Sequence, residues 1–68
     1  MKTVSGKDLC KVLEAHGWNL DRINGSHHVY KKAGNRALPM VPVHSNTDLK
    51  PDLLAKLLKQ AGLTEHDL

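Results

Sequence analysis

Two adjacent histidines lie near the middle of the chain, in the segment Gly25-Ser26-His27-His28. Histidine changes its charge near neutral pH, so it can accept or donate a proton in catalysis. Arg22 and Lys31 lie close by in the chain, and such cations stabilise negative charge that develops on phosphoryl oxygens. These residue types favour acid–base chemistry on a phosphodiester. A packed or incidental histidine pair is the simpler alternative.

A metal site is a second alternative for the same histidines. Zinc accepts histidine and carboxylate ligands, and His27 or His28 could combine with His44 and Asp48. However, adjacent histidines on a strand point to opposite faces. The chain also has no short pair of Cys or His residues with the spacing typical of zinc ligands. The sequence therefore favours a site without a metal.

Positive charge is concentrated in the same part of the chain. The 68 residues include ten Lys or Arg and seven Asp or Glu, a formal net charge of +3. The interval from Arg22 to Thr47 contains no carboxylate, yet it holds four of the basic residues and three of the five histidines. A basic surface without interleaved acids favours a polyanion such as a nucleic acid. An ordinary solvated strand face is the alternative.

Length and composition limit the class of protein. The chain is long enough for one small domain, 1–68, with the polar residues 64–68 as a frayed tail. A single cysteine, Cys10, excludes an internal disulfide, and no apolar run approaches the roughly 20 residues that span a bilayer. No signal peptide is recognisable. We therefore expect a cytoplasmic domain without membrane contact, whose site lies on an open surface.

Two segments have the apolar periodicity of helices. The first begins at a capping residue, Ser5, and ends at Gly17, a residue typical of left-handed helix termination. The second begins at Pro51, which suits the first helical position, and ends at Gly62. Leu49 and Leu54 have the spacing of a hydrophobic staple at its start. Its apolar face consists of Leu53, Leu54, Leu57, Leu58 and Ala61.

Three strands are predicted between the helices. They cover residues 18–23, 27–32 and 36–43, with turns at Asn24-Gly25 and at Gly34. Prolines place the third strand at a sheet edge or in a bulge, because proline lacks a donor for the ladder. The fold class is therefore α+β, in the order α-β-β-β-α. We expect a three-stranded antiparallel sheet with both helices on one face and the other face open.

Strand geometry separates the two histidines. Tyr30 is a natural core residue, because Trp18 is the only other aromatic residue in the chain. Successive side chains on a strand alternate between faces, so His28 shares the core face with Tyr30. His27 then lies on the open face together with Lys31. The sequence thus predicts that His27 is available to a substrate, whereas His28 leans toward the core.

Three segments together resemble a known family. They are His16-Gly17-Trp18 followed by Arg22, then Gly25-Ser26-His27-His28 followed by Tyr30, and then Val41-Pro42-Val43-His44 leading through Asp48-Leu49-Lys50-Pro51 to Lys59-Gln60-Ala61-Gly62-Leu63. In this order and spacing they resemble the HicA toxins of bacterial type II toxin–antitoxin systems, the YcfA-like mRNA interferases. The resemblance covers nearly the whole chain, from Ser5 to Leu63.

The resemblance implies both a fold and a function. It implies a domain related to the double-stranded RNA-binding domain, and a ribonuclease that cleaves mRNA and arrests translation without a metal or another cofactor. The resemblance also implies two partners, mRNA and a HicB antitoxin that covers the active site. The catalytic histidine of the family falls on His27, which we expect to act as general base on the ribose 2′-hydroxyl. The supporting or RNA-binding candidates are Gly25, Ser26, Arg22, Lys31 and His28.

Two other functions fit the same residues. A non-catalytic RNA-binding module of this fold would recognise double-stranded RNA by its shape and would not need His27. A structural subunit would dock an acidic protein on the open basic face and would be harmless to the cell. RNA cleavage and toxicity therefore distinguish the three functions.

Overall fold

The helices and strands occur in the predicted order. The computed structural model describes residues 3–45 and 47–68. Its elements are α1 (Gly6–Ala15), β1 (Asn19–Asn24), β2 (His27–Lys31), β3 (Met40–Pro42) and α2 (Pro51–Ala61), followed by a short 3-10 helix (Glu65–Asp67). The strands form one antiparallel sheet in the order β1-β2-β3. The α+β class and the α-β-β-β-α order are confirmed, while the likeness to the double-stranded RNA-binding domain stays a prediction.

Helix α1 begins where the sequence predicts. The Ser5 side chain accepts a hydrogen bond from the backbone N–H of Asp8, which satisfies one of the free donors at the helix start. The next residue, Gly6, lies directly against β3, and a Cβ at this position would overlap the carbonyl oxygen of Pro42. The absence of a side chain at Gly6 therefore lets α1 contact the backbone of β3.

Helix α2 has the predicted boundaries. Lys50 is the N-cap, Pro51 is the first helical residue, and Gly62 ends the helix with a φ of 71° in the left-handed region. Leu49 and Leu54, the predicted staple, are both buried. Local signals therefore account for both ends of α2. Within the described residues, no helix has both the length and the apolar character needed to cross a membrane.

One apolar cluster lies between the helices and one face of the sheet. Tyr30 of β2 and Val41 of β3 are its sheet residues, so α1 and α2 cover the same face, as predicted. All residues of β1 are exposed, whereas Trp18, directly before this strand, is only 2% exposed. The buried members of the cluster are Leu9, Cys10, Leu13, Trp18, Tyr30, Val41, Leu49, Leu54, Leu57, Leu58 and Ala61.

The third strand is shorter than predicted. β3 covers Met40–Pro42 rather than residues 36–43. Pro39 accounts for the late start, because proline cannot donate the hydrogen bond that a ladder position needs. The Pro39 carbonyl still accepts a bond from the Tyr30 N–H at 3.0 Å. The sheet edge predicted for this strand is confirmed, since β3 pairs with β2 at one side of the sheet.

The C-terminal residues differ from the frayed tail that their polarity suggested. Glu65–Asp67 form a 3-10 helix. The Thr64 side chain accepts from the His66 N–H, and the Asp67 carboxylate accepts from the Thr64 N–H at 2.9 Å. Leu68 packs against the apolar cluster. This capping box and the apolar contact together account for the ordered segment.

Tyr30 connects the core of the sheet to α1. Its hydroxyl donates a hydrogen bond to the Glu14 carboxylate at 2.9 Å, and the residue is 1% exposed. Burial raises the pKa of Tyr30 well above its usual range, and interactions with Cys10 and Glu14 raise it further. Burial also raises the pKa of the Cys10 thiol. The folded state therefore retains protons that the unfolded chain releases at alkaline pH.

Replacing Tyr30 with phenylalanine is expected to reduce the loss of stability at alkaline pH. The unfolded chain ionises Tyr30 near the ordinary pKa of about 10, so the wild type loses up to about 1.4 kcal/mol per pH unit above that value from this group. Below that pH the variant only lacks one hydrogen bond, worth about 0.5–1.5 kcal/mol. Urea unfolding from about pH 8 to about pH 11 measures both effects. Equal alkaline slopes for the two proteins would contradict this role of Tyr30.

Candidate functional site

His27 lies on the face of the sheet opposite the helices, the open face, on which the central residue Val29 is itself buried. Its neighbour His28 pairs with Val41, a core residue, so His28 belongs to the covered face. His27 instead pairs with Asn24 on β1 and with Pro42 on β3, and it is exposed. The structure thus places the two histidines on opposite faces of the sheet, as strand alternation predicted.

The turn before His27 determines where β2 begins. Gly25 has a φ of 64°, a left-handed conformation that glycine adopts without strain. The Ser26 carbonyl accepts a hydrogen bond from the Val43 N–H at 2.8 Å, which extends the pairing of β2 with the chain after β3. Gly25 and Ser26 therefore position His27 through their backbone.

Arg22 and Lys31 lie on the same open face, at different distances from His27. Arg22 pairs with Val29, two residues from His27 on β2, and such diagonal neighbours are roughly 7–8 Å apart. Lys31 is four residues from His27 on the same strand, or about 13 Å along it. The backbone position of Arg22 is therefore closer to His27 than that of Lys31.

The carboxylate of Asp21, which the sequence did not single out, also lies on this face. β1 has a bulge between Leu20 and Arg22, with Asp21 as the extra residue. The Asp21 carboxylate is 2.7 Å from Nη1 of Arg22 and 3.4 Å from Nζ of Lys31. The two cations thus share an acidic partner within the chain. The spacing of Leu20 and Ile23 is the sequence signal for this bulge. In a regular strand, residues three positions apart lie on opposite faces, so these two can share a face only if the strand contains an extra residue.

His28 is half-buried on the covered face. Its Nδ1 atom is buried and has no hydrogen-bond partner among residues 3–45 and 47–68. The sheet separates this ring from the open face, so the structure does not bring His28 together with His27, Arg22 or Lys31. The position of His28 fits the packed alternative.

The residues of the zinc alternative do not form one cluster. In the described part of the chain, no three His, Cys, Asp or Glu residues are placed to hold one metal ion. His44 and Asp48 line a cavity of about 220 Å³ between the end of β3 and the start of α2. Neither His27 nor His28 lines this cavity.

Comparison with known proteins identifies the family. A search of curated proteins finds no match. The family model of the HicA toxin of bacterial toxin-antitoxin systems matches residues 6–63. The matched range includes every element from α1 to α2 and all the candidate site residues. Because the match covers most of its length, this chain belongs to the HicA toxin family of bacterial toxin–antitoxin systems.

Proposed function

We propose that this toxin is an endoribonuclease that cleaves mRNA on the open face of its sheet, with His27 as the general base. Family membership supports the toxin role and an antitoxin partner. The observation that carries the proposed activity is the exposure of His27 on a face that also holds Arg22 and Lys31. Cleavage of mRNA stops translation, which is a direct route from this activity to growth arrest.

The proposed reaction begins when His27 accepts the proton of a ribose 2′-hydroxyl. The 2′-oxygen attacks the adjacent phosphorus, and the bond from phosphorus to the 5′-oxygen of the next nucleotide breaks. The products are a 2′,3′-cyclic phosphate and a 5′-hydroxyl, whose oxygen takes its proton from solvent. These steps require only a base, water and charge stabilisation, so we propose a reaction independent of metal.

Arg22 is the group best placed to stabilise charge on the phosphoryl oxygens. Its side chain is 56% exposed and is held by Asp21. An exposed ion pair of this kind contributes only about 0–1 kcal/mol, so a phosphate can compete with Asp21 for the guanidinium. Arginine also suits a phosphate because its planar fork can donate two parallel hydrogen bonds. We therefore assign the phosphate beside His27 to Arg22.

The shape of the open face fits a polymer and a covering protein. The distance from His27 to Lys31, about 13 Å along β2, is longer than a single phosphate group and suits successive nucleotides of an RNA strand. An open face is also accessible to a protein inhibitor. We propose that a HicB-type antitoxin neutralises the toxin by covering His27 and its neighbouring cations.

An RNA with a single modified sugar separates catalysis from binding. The purified toxin is incubated with a single-stranded RNA, and with the same RNA carrying a 2′-deoxy nucleotide at the cleaved position, each with and without a metal chelator. We expect cleavage of the first RNA to cyclic phosphate ends, no cleavage of the second at that position, and equal binding of both. Binding of both without cleavage would favour the non-catalytic RNA-binding module. Cleavage that stops on chelation would contradict a metal-independent reaction.

A further inference from the structure

The free edge of the sheet at β1 has the features of a protein–protein contact. In the described part of the chain β1 is paired only with β2, so its other edge presents backbone groups over six residues. Such an edge is a template for another strand. Leu20 and Ile23 are 43% and 56% exposed on this strand. The opposite edge is less suitable, because β3 is three residues long and Pro42 lacks a donor.

The sequence of β1 is complementary to itself when it is read in the opposite direction. Residues 19–24 are Asn-Leu-Asp-Arg-Ile-Asn. An antiparallel copy of the strand therefore aligns three kinds of pair: Leu20 with Ile23, Asp21 with Arg22, and Asn19 with Asn24. Aliphatic pairs and opposite charges across antiparallel strands are both stabilising. This pattern identifies a second copy of the same strand as the occupant of the edge.

Because of the bulge, the two residues of each complementary pair lie on the same face of β1. Leu20 and Ile23 lie on the helix-covered side, because Leu20 pairs with Tyr30 of the core and Ile23 pairs with His28, which shares this face. Asp21 and Arg22 both lie on the open side, where their side chains form an ion pair. A twofold axis perpendicular to the sheet, between Asp21 and Arg22, therefore joins aliphatic residues on one side and charges on the other.

We propose that two copies of this protein associate through β1 in antiparallel orientation, which joins their three-stranded sheets into one continuous sheet. Leu20 of each protomer packs against the partner's Ile23. Asp21 of each protomer pairs with the partner's Arg22, in exchange for the exposed ion pair within its own chain. The contact is isologous, so it closes at two copies. Both His27 side chains lie on one side of the joined sheet, which doubles the open face.

The small contact predicts a weak dimer. Six residues on each side bury less surface than the roughly 800 Å² per partner of a standard protein interface. We therefore expect association in the micromolar to millimolar range, with the monomer predominant in dilute solution. Sedimentation of the full chain over a series of concentrations measures this equilibrium directly.

Charge reversal within β1 tests the pairing. Asp21→Arg places two cations side by side, and Arg22→Asp places two anions side by side, so each variant opposes its own copy with like charges. We expect each variant alone to associate at least about tenfold more weakly than the wild type. An equimolar mixture of the two variants restores opposite charges across the axis. We expect this mixture to form a heterodimer of wild-type affinity.

Two further variants make the result specific to this edge. Ile23→Lys places a charge in the aliphatic contact and is expected to remain monomeric, whereas Lys56→Asp, an exposed charge reversal on α2, is expected to dimerise like the wild type. Circular dichroism checks that every variant is folded. Arg22 is also a candidate RNA ligand, so the readout is mass in solution rather than activity.

Two results would overturn the proposal. One is a wild-type chain that sediments as a monomer at millimolar concentration. The other is a mixture of the two charge variants that does not associate although each is folded. Protection of the β1 amides from hydrogen exchange only after an antitoxin is added would identify a different chain as the occupant of this edge. None of these three results bears on cleavage by His27, so the dimer and the proposed activity can fail separately.

Discussion

Replacing His27 with alanine is expected to lower the rate of RNA cleavage by about 10²–10⁴-fold, the usual contribution of a positioned general acid or base. The imidazole is exposed on the open face of the sheet, so its removal leaves no cavity in the core. We expect the free energy of unfolding to change by no more than about 0.5 kcal/mol. Expression of the variant should therefore leave RNA intact and allow growth, although the protein is folded.

His66→Ala is the matched control for this experiment. His66 is an exposed histidine on the 3-10 helix, outside the sheet. Its replacement is expected to leave cleavage and growth arrest at wild-type levels. RNA integrity is followed over time by gel electrophoresis, and growth is followed after induction without antitoxin. A folded His27→Ala variant that cleaves RNA at the wild-type rate would show that another group removes the proton.

Gly6→Ala is expected to destabilise the fold by about 1–3 kcal/mol, the usual cost of overpacking. The added Cβ would overlap the carbonyl oxygen of Pro42 and lie 3.3 Å from the Cα of Val43. These are backbone atoms, so they cannot rotate away as a flexible side chain can. In a domain of this size, each kcal/mol lowers Tm by roughly 4–8 °C. Because Pro42 is the strand partner of His27, we also expect slower RNA cleavage.

Helix propensity alone does not predict the destabilisation expected for Gly6→Ala. Alanine is a better helix former than glycine, so propensity at this first position of α1 gives no reason to expect destabilisation. Lys7→Ala, at the next and exposed position of α1, is the control in which only propensity acts, and it should change stability by no more than about 0.5 kcal/mol. Thermal unfolding followed by circular dichroism measures both variants. A Gly6→Ala variant as stable as the wild type would contradict the close approach of α1 to β3.

Local signals in the sequence were enough to predict the helix ends and the separation of the two histidines. Ser5, Pro51 and Gly62 mark helix ends because capping depends on a few adjacent residues. His27 and His28 lie on opposite faces because alternation is a property of a single strand. The family model matches residues 6–63, which is the range of the resemblance to the HicA toxins except for its first residue, Ser5. The catalytic role of His27 stays a prediction.

The partners of the site residues could not be predicted in the same way. Asp21 is next to the acid-free interval in the sequence, but only the bulge and the register of β1 against β2 show that it reaches both Arg22 and Lys31. The shortening of β3 depends on the orientation of Pro39, whose backbone faces β2 at a position where a donor is needed. The ordered C-terminal segment depends on the contact of Leu68 with the apolar cluster.

The sequence by itself therefore determined the order of the helices and strands, the ends of the two α-helices and the face on which His27 lies. Each of these depends on residues that are neighbours in the chain. Only the tertiary structure decided that Arg22 lies diagonally across from His27 on the neighbouring strand, that Asp21 competes for both cations, and that Gly6 must remain without a side chain. These features depend on strand register and packing, which bring together residues from different elements.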